Sequence, residues 1–451
     1  MNKKLLISLT VPLIAGILAV CFIRYEQPGT SYEVNITGSI IEFTRSQEMI
    51  LVSKGRNSHV DMFKALGWSH AHDRYVQICL FRLAARGELT KHLPFAESAR
   101  KQDIKSNQMN LRESSKKSLP HMETRHVNQM QAYVDGINEY LRSHIRPLEF
   151  MLINFNPEPF DVVDVLAIYK FISYAGLNDI CLIIEKLIIE VTQETDQINL
   201  LKDTFYPHLE IVDDELIEIY RSIKDIRSIA VQETAHVSKL TNSNNWVVSG
   251  NRSESGKPIM GSDPHMDISK TPNIFYENHY VGDDGHTFFG ISTPGFSGYI
   301  MGRSRHIAMS FTYGMLDMSD YFIENVNSRK EYERDGEFFA FKERMVIIAG
   351  KTYYFYDTLE GHTLERSLEG SEQPISAGKY LATKFSLTIQ ADTYIPNLFN
   401  IPLDAKTVYD VQDSLKLNSL GTNLLASDSL GNIAYQQVCF CFIYMETNYI
   451  Y

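Results

Sequence analysis

The feature that most limits what this chain can become is a change of periodicity near residue 242. Upstream of it, apolar residues recur at helical spacing. Phe63, Leu66, Tyr75, Ile78, Phe81 and Leu83 mark one helix within residues 61–93, and Gly87 suits its end. Residues 127–141 and 161–201 repeat the pattern, with Pro147, Pro157 and Pro159 punctuating a loop between them. Downstream, from Ser243, the apolar runs are short and β-type: residues 246–249, 258–260, 287–291, 307–312, 345–348 and 353–356. Asp284-Gly285 and Asp335-Gly336 supply turns between such runs. A chain built this way is α+β, with a helix-rich half followed by a sheet-rich half. Residues 31–52 alternate apolar and polar side chains and predict a half-buried hairpin ahead of the first helix. Residues 96–128, with Lys101, Lys105, Arg112, Lys116 and Lys117, predict an exposed excursion. The polar residues 222–242 predict a linker. The expected organisation is 1–24 leader, 25–221 helical region, 222–242 spacer and 243–451 sheet-rich region.

Composition removes several function classes. Lys and Arg total 43 against 55 Asp and Glu, a formal charge of -12, which repels phosphate backbones and argues against nucleic acid as partner. Hydrophobic residues at 44% exclude a wholly disordered chain. Five cysteines with no C-x-x-C pair make neither a disulfide framework nor a zinc ribbon. At the N-terminus, Lys3 and Lys4 precede an apolar run from Leu5 to Ile23. That run approaches the ~20 residues a helix needs to span a bilayer, so it reads as a secretory signal or an uncleaved membrane anchor. Either reading predicts an exported, periplasmic or periplasm-facing body.

The informative motifs flank the change of texture. Ser243-Asn244-Asn245-Trp246-Val247-Val248 opens the second half, followed by Gly261-Ser262-Asp263-Pro264-His265. Then come Pro294-Gly295-Phe296-Ser297-Gly298 and Gly302-Arg303-Ser304-Arg305-His306-Ile307-Ala308. In the first half stand Gly67-Trp68-Ser69-His70-Ala71-His72-Asp73-Arg74, Arg86-Gly87-Glu88-Leu89 and Asn156-Pro157-Glu158-Pro159-Phe160. In this order and spacing the motifs resemble the penicillin acylase family of N-terminal-nucleophile hydrolases, which includes cephalosporin and acyl-homoserine-lactone acylases. The likeness runs, with gaps, from about residue 35 to about 437.

That resemblance implies a four-layer αββα fold and a hydrolase that removes the acyl group from a small N-acyl amide. A serine hydroxyl needs a base, and a free α-amine on the same residue can provide one. The amine's ordinary pKa near 8 suits proton transfer around neutrality. The family pattern therefore implies self-cleavage of Asn242–Ser243, yielding two subunits with Ser243 as nucleophile. It implies that His265 orients the nucleophile, although Asp-Pro-His reads equally as a plain turn. It implies that the backbone N–H of Tyr313 serves as an oxyanion donor. No cofactor is needed for this chemistry.

The same resemblance implies a structural calcium held by Asp317, Ser319 and Asp320, with Asp179 near the expected α-half ligand. Oxygen ligands at such spacing suit Ca²⁺, and a solvated acidic turn is the alternative. His70 and His72 stand at i and i+2 of a helix and point to different faces, so a shared metal is rejected for them. Near the end the pattern departs from the family: after Ala434-Tyr435 the chain reads Val438-Cys439-Phe440-Cys441-Phe442. This predicts a sheet incomplete at the C-terminus, without the asparagine that is the family's second oxyanion donor. The alternative to an active acylase is thus an unprocessed, inactive remnant. Acyl and amine specificity do not follow from the sequence.

Overall fold

The computed structural model describes residues 26–94, 96–177, 242–265, 272–314, 318–388, 391–416, 418 and 420–438. The leader, Asp179, the spacer up to residue 241 and Asp317 lie outside the described residues. Among the described residues, no helix is long and apolar enough to cross a membrane.

Strands β1 (Ser31–Ile36) and β2 (Ser39–Arg45) form the expected hairpin. Thr37 and Gly38 both have positive φ, the two-residue turn that matches strand twist. After β3 (Leu51–Gly55) comes the long helix α1 (Ser58–Arg86). The Asp61 carboxylate accepts the backbone N–H groups of Arg56 and Asn57 at 2.9 Å each, which fixes its start. Gly87, at φ 68°, ends it in the left-handed conformation. The helix is bent at Arg74, whose φ is -137°.

Helices α2 (Glu97–Met109) and α3 (Leu111–Ser118) occupy the segment predicted to be an exposed excursion. That expectation is corrected: Asp103, Lys105, Ser106 and Ser115 are almost wholly buried. The polar residues are inside because each has a partner. Asp103 accepts from the N–H groups of Leu89 and Thr90 at 2.8 and 2.7 Å. Helix α4 (Thr124–Ser143) crosses α1 through facing glycines. A Cβ on Gly67 would lie 1.9 Å from the Tyr133 carbonyl oxygen, and one on Gly136 would lie 2.1 Å from that of Lys64. The short α5 (Leu148–Leu152) and α6 (Val162–Leu177) complete the described part of the helical half.

The second half supplies β4 (Asn242–Val248), β5 (Ile259–His265), β6 (Tyr276–Gly282), β7 (Thr287–Ser292), β8 (Tyr299–Ser304) and β9 (Ile307–Tyr313). They are followed by β10 (Ser319–Val326), β11 (Glu331–Arg334), β12 (Glu337–Ala340), β13 (Lys342–Ile348), β14 (Lys351–Asp357) and β15 (Thr363–Leu364). The chain continues through α7 (Leu368–Ser371), β16 (Gly378–Phe385), α8 (Ile395–Asp404), α9 (Val408–Leu415), β17 (Thr422–Asp428) and β18 (Ile433–Val438).

One sheet runs β1-β2-β3-β6-β7-β8-β9-β17-β18, a second runs β12-β11-β10-β16-β15-β14-β13, and β4-β5 is a separate ribbon. The first sheet joins the two halves of the chain, because β3 pairs in parallel with β6. Its core holds Phe43, Phe63, Trp68, Tyr133, Tyr169 and Tyr299. The second sheet is tied to α2 by a buried Lys105–Glu365 pair at 2.9 Å. Arg344 adds to this by donating to the terminal carbonyls of Asn107 and Gln108 at 2.6 and 2.9 Å.

A charged cluster fastens α1 to the first sheet. The Arg45 guanidinium donates to both Asp73 oxygens at 2.8 Å and lies 2.9 Å from Glu26. His72 lies 2.7 Å from Asp73 and 3.2 Å from Glu26. Burial opposes the charge of His72, but hydrogen bonds and charges from Asp73 and Glu26 outweigh it and push its pKa up to about 9. A raised pKa adds stability that is complete below the unfolded value of about 6.5 and is lost as pH rises through about 9. The melting temperature should therefore fall between pH 6.5 and 9, and less steeply in His72→Gln, as followed by circular dichroism. Equal slopes for the two proteins would refute this.

Candidate active site

Ser243 is the second residue of β4, which pairs antiparallel with β5. Pro264, which has no N–H to give a ladder, stands directly opposite it. Alternation along the strand puts Ser243, Asn245 and Val247 on one face of the ribbon, and all three are half-buried. The ribbon rests on β9, and β4 also meets β17. Asn244 and Trp246 take the other, exposed face. The Trp246 ring covers Gly261 across the ribbon, where a Cβ would come within 2.4 Å of it.

The register does not bring His265 to Ser243. His265 pairs with Asn242, so its side chain belongs to the exposed face, next to Asn244 and Asp263. Its Nε2 is 3.4 Å from Asn244 Nδ2 and 3.1 Å from Asp263 Oδ2. In this uncleaved ribbon the orienting hydrogen bond expected from His265 is replaced by these two neighbours. The reason is geometric: strand residues an odd number of ladder steps apart point to opposite faces.

Tyr313 ends β9 and is buried. Gly314 N donates to Gly421 O at 2.9 Å, which makes that pair a hydrogen-bonded one in the β9–β17 ladder. The adjacent pair, Tyr313 with Thr422, is then the alternate kind, and the Tyr313 N–H is directed away from β17. Asn423 Nδ2 holds the Tyr313 carbonyl oxygen at 3.0 Å, and Tyr435 Oη holds Asn423 Oδ1 at 2.8 Å.

Two site features were missed by sequence reasoning. Asn245 Nδ2 is buried on the Ser243 face and has no hydrogen-bond partner. Strand alternation from Ser243 was the available signal for it. The second is the anchoring of residues 293–298 by a buried polar chain. Gly295 N–H donates to Tyr133 Oη at 3.0 Å, which sits 2.7 Å from His70 Nδ1. His70 Nε2 is 2.7 Å from Ser292 Oγ, which donates to the Tyr276 carbonyl oxygen at 3.2 Å. Burial pushes the His70 pKa down to about 3, so the ring is neutral. One proton arrangement satisfies every member: Tyr133 donates to Nδ1, and Nε2–H donates to Ser292. Ser297 is similarly bonded to Tyr169 of α6, whose Oη accepts the Ser297 N–H at 2.9 Å. His70 and His72 thus serve different partners on different sides of α1.

Ser319 and Asp320 are the first two residues of β10, across from Phe385 and Lys384 of β16. The third expected ligand, Asp317, lies outside the described residues. Among the described residues, no group of three or more His, Cys, Asp or Glu is placed to hold a metal ion.

The described halves form one mixed α and β scaffold, with a half-buried serine near the start of the sheet-rich part. Residues 49–439 match the model of the family described as Penicillin amidase, and the chain belongs to that family. It is 23% identical over 398 residues to penicillin acylase 2 proenzyme of Pseudomonas sp. (strain SE83), covering 84% of this chain and 50% of that protein. It is 23% identical over 393 residues to acyl-homoserine lactone acylase QuiP of Pseudomonas aeruginosa, covering 82% and 46%. The chain thus spans about half the length of the curated relatives it matches. Among solved structures it resembles a thermostable penicillin G acylase from Alcaligenes faecalis, at 16% identity and a TM-score of 0.35, over 44% of this chain and 35% of that one.

Proposed function

We propose that this chain is the nucleophile-bearing part of an amidohydrolase that releases the acyl group from a small N-acyl amide. Cleavage at Asn242–Ser243 would free the Ser243 amine, which takes the proton from its own Oγ. Oγ then attacks the acyl carbon, and the oxyanion accepts a hydrogen bond from the Tyr313 N–H. The amine leaves with the proton, and water hydrolyses the acyl-enzyme to a carboxylic acid. Asn245 Nδ2 is a second donor available on the same face. The reaction uses no cofactor. The observation that carries this reading is Ser243 on the half-buried face of β4, a strand packed near β9, within a chain matched by the family over residues 49–439. The relatives' names, a penicillin acylase and acyl-homoserine lactone acylases, support an acyl amide as the substrate class.

A second reading, an unprocessed chain without turnover, draws on the register that points His265 away from Ser243. One experiment separates the two. The purified full chain is incubated at pH 7.5, its N-termini are sequenced, and release of a chromophore from an N-acyl anilide is followed. A new N-terminus at Ser243 with turnover supports the first reading. An intact chain that releases nothing supports the second.

A further inference from the structure

A cavity of about 310 Å³ lies beside the bend in α1, remote in sequence from Ser243. Its lining includes the polar His72, Asp73, Arg74 and Gln77 and the apolar Leu80, Phe81, Ala84 and Pro147. The size is at the small end of ordinary ligand cavities, ~300–1,000 Å³. Arg74 is half-buried, yet the groups that contact its guanidinium are neutral. Nη1 donates to the Asn273 carbonyl oxygen at 3.0 Å and lies 3.5 Å from Gln77 Oε1, and the guanidinium lies 5.7 Å from the centre of the Tyr276 ring. Among the described residues it pairs with no carboxylate, and burial works against its charge.

The neighbouring carboxylates are already engaged. Asp73 is held by Arg45, His72 and the Tyr276 hydroxyl, the last at 2.7 Å, and Glu26 by Arg45 and His72. Three cations (Arg45, His72 and Arg74) thus face two anions, leaving one positive charge in excess beside the cavity. Glu149, also on the lining, is exposed, so solvent screens its charge.

We propose that this cavity binds a monocarboxylate with a short apolar tail, its carboxylate on the Arg74 guanidinium and its tail against Leu80, Phe81 and Ala84. A guanidinium pairs with a carboxylate more strongly than with a neutral carbonyl, and the apolar walls discriminate against short hydrophilic acids. The site does not depend on cleavage before Ser243, so it is tested with the free acid and no turnover.

Octanoate is titrated into the full chain at pH 7.5 by calorimetry, beside 1-octanol, which has the same tail and no charge. Saturable octanoate binding is expected, with 1-octanol at least about tenfold weaker. Arg74→Gln should lose that preference, Arg74→Lys should keep it, and Leu80→Glu should abolish octanoate binding. Circular dichroism establishes that each variant is folded. Absence of octanoate binding to the wild-type chain, 1-octanol binding as well as octanoate, or undiminished octanoate binding by folded Arg74→Gln would each overturn the proposal.

Discussion

Replacing Asp164 with Ala is expected to lower the melting temperature by about 3–5 °C, from a loss of ~3–5 kcal/mol. Asp164 is fully buried near the start of α6, and its carboxylate gathers arginines from two other helices. Arg86 of α1 donates to its two oxygens at 2.8 and 2.9 Å, and Arg112 of α3 bonds it as well. Arg82 of α1, itself only 2% exposed, lies 3.9 Å away. Asp164 also completes a reciprocal cap with Asp161: Asp164 N–H donates to Asp161 Oδ1 at 2.8 Å, and Asp161 N–H to Asp164 Oδ2 at 3.2 Å. Alanine would remove the one anion common to these arginines while leaving their charges in place. Removing one partner of a buried ion group is far worse than replacing the whole group, because the remaining charges stay desolvated. Arg112→Ala should cost much less, since that side chain is 29% exposed and can be solvated. A thermal scan in which Asp164→Ala shifts by under ~2 °C would remove Asp164 as the junction of the three helices.

The change of texture at residue 242 was legible because helical and strand periodicities are local properties. What it could not convey is that β3 and β6, far apart in sequence, pair in parallel within one sheet. Non-local pairing leaves no local trace. Residues 96–128 misled for a related reason. Their lysines and Arg112 read as solvent-facing, but a partner that makes burial tolerable, Glu365 for Lys105, lies hundreds of residues away. The motif around Ser243 marked the opening of the β-rich half, and Ser243 lies in β4 there. For His265 it carried no information about the face, because distance along the chain does not specify which side of a ribbon a residue takes. Asn245 was within reach of strand alternation alone. The unpaired state of its amide was not, since that depends on what β9 and β17 present beneath it.

Ser243→Ala is expected to leave Asn242 and Ala at position 243 joined in every molecule and to bring hydrolysis of an N-acyl anilide to background, a fall on the order of 10⁴-fold or more. The same oxygen is asked to act twice in the proposed course. It first attacks the carbonyl that precedes it, which moves the acyl bond from nitrogen to oxygen and frees the Ser243 amine, and water then cleaves the ester to leave the Asn242 carboxylate and the Ser243 hydroxyl. Afterwards it attacks substrate with that amine as its base. Ser243→Cys separates the two demands from simple loss of the fold: a thiol is an intrinsically strong nucleophile, so some cleavage should survive even where turnover does not. The α-amine imposes its own signature. With an ordinary pKa near 8, it is a base only when unprotonated, so turnover by the cleaved wild-type chain should rise with pH through that region. His72 loses its proton only near pH 9, and the resulting loss of stability works in the opposite direction at the alkaline end. Activity should therefore pass through a maximum whose acid limb belongs to the nucleophile's amine and whose alkaline limb moves in His72→Gln. If the Ala variant were still cut before position 243, the scission would belong to an external protease, and Ser243 would lose its role in maturation. If that variant still hydrolysed the anilide, the acyl group would have to reside on another side chain.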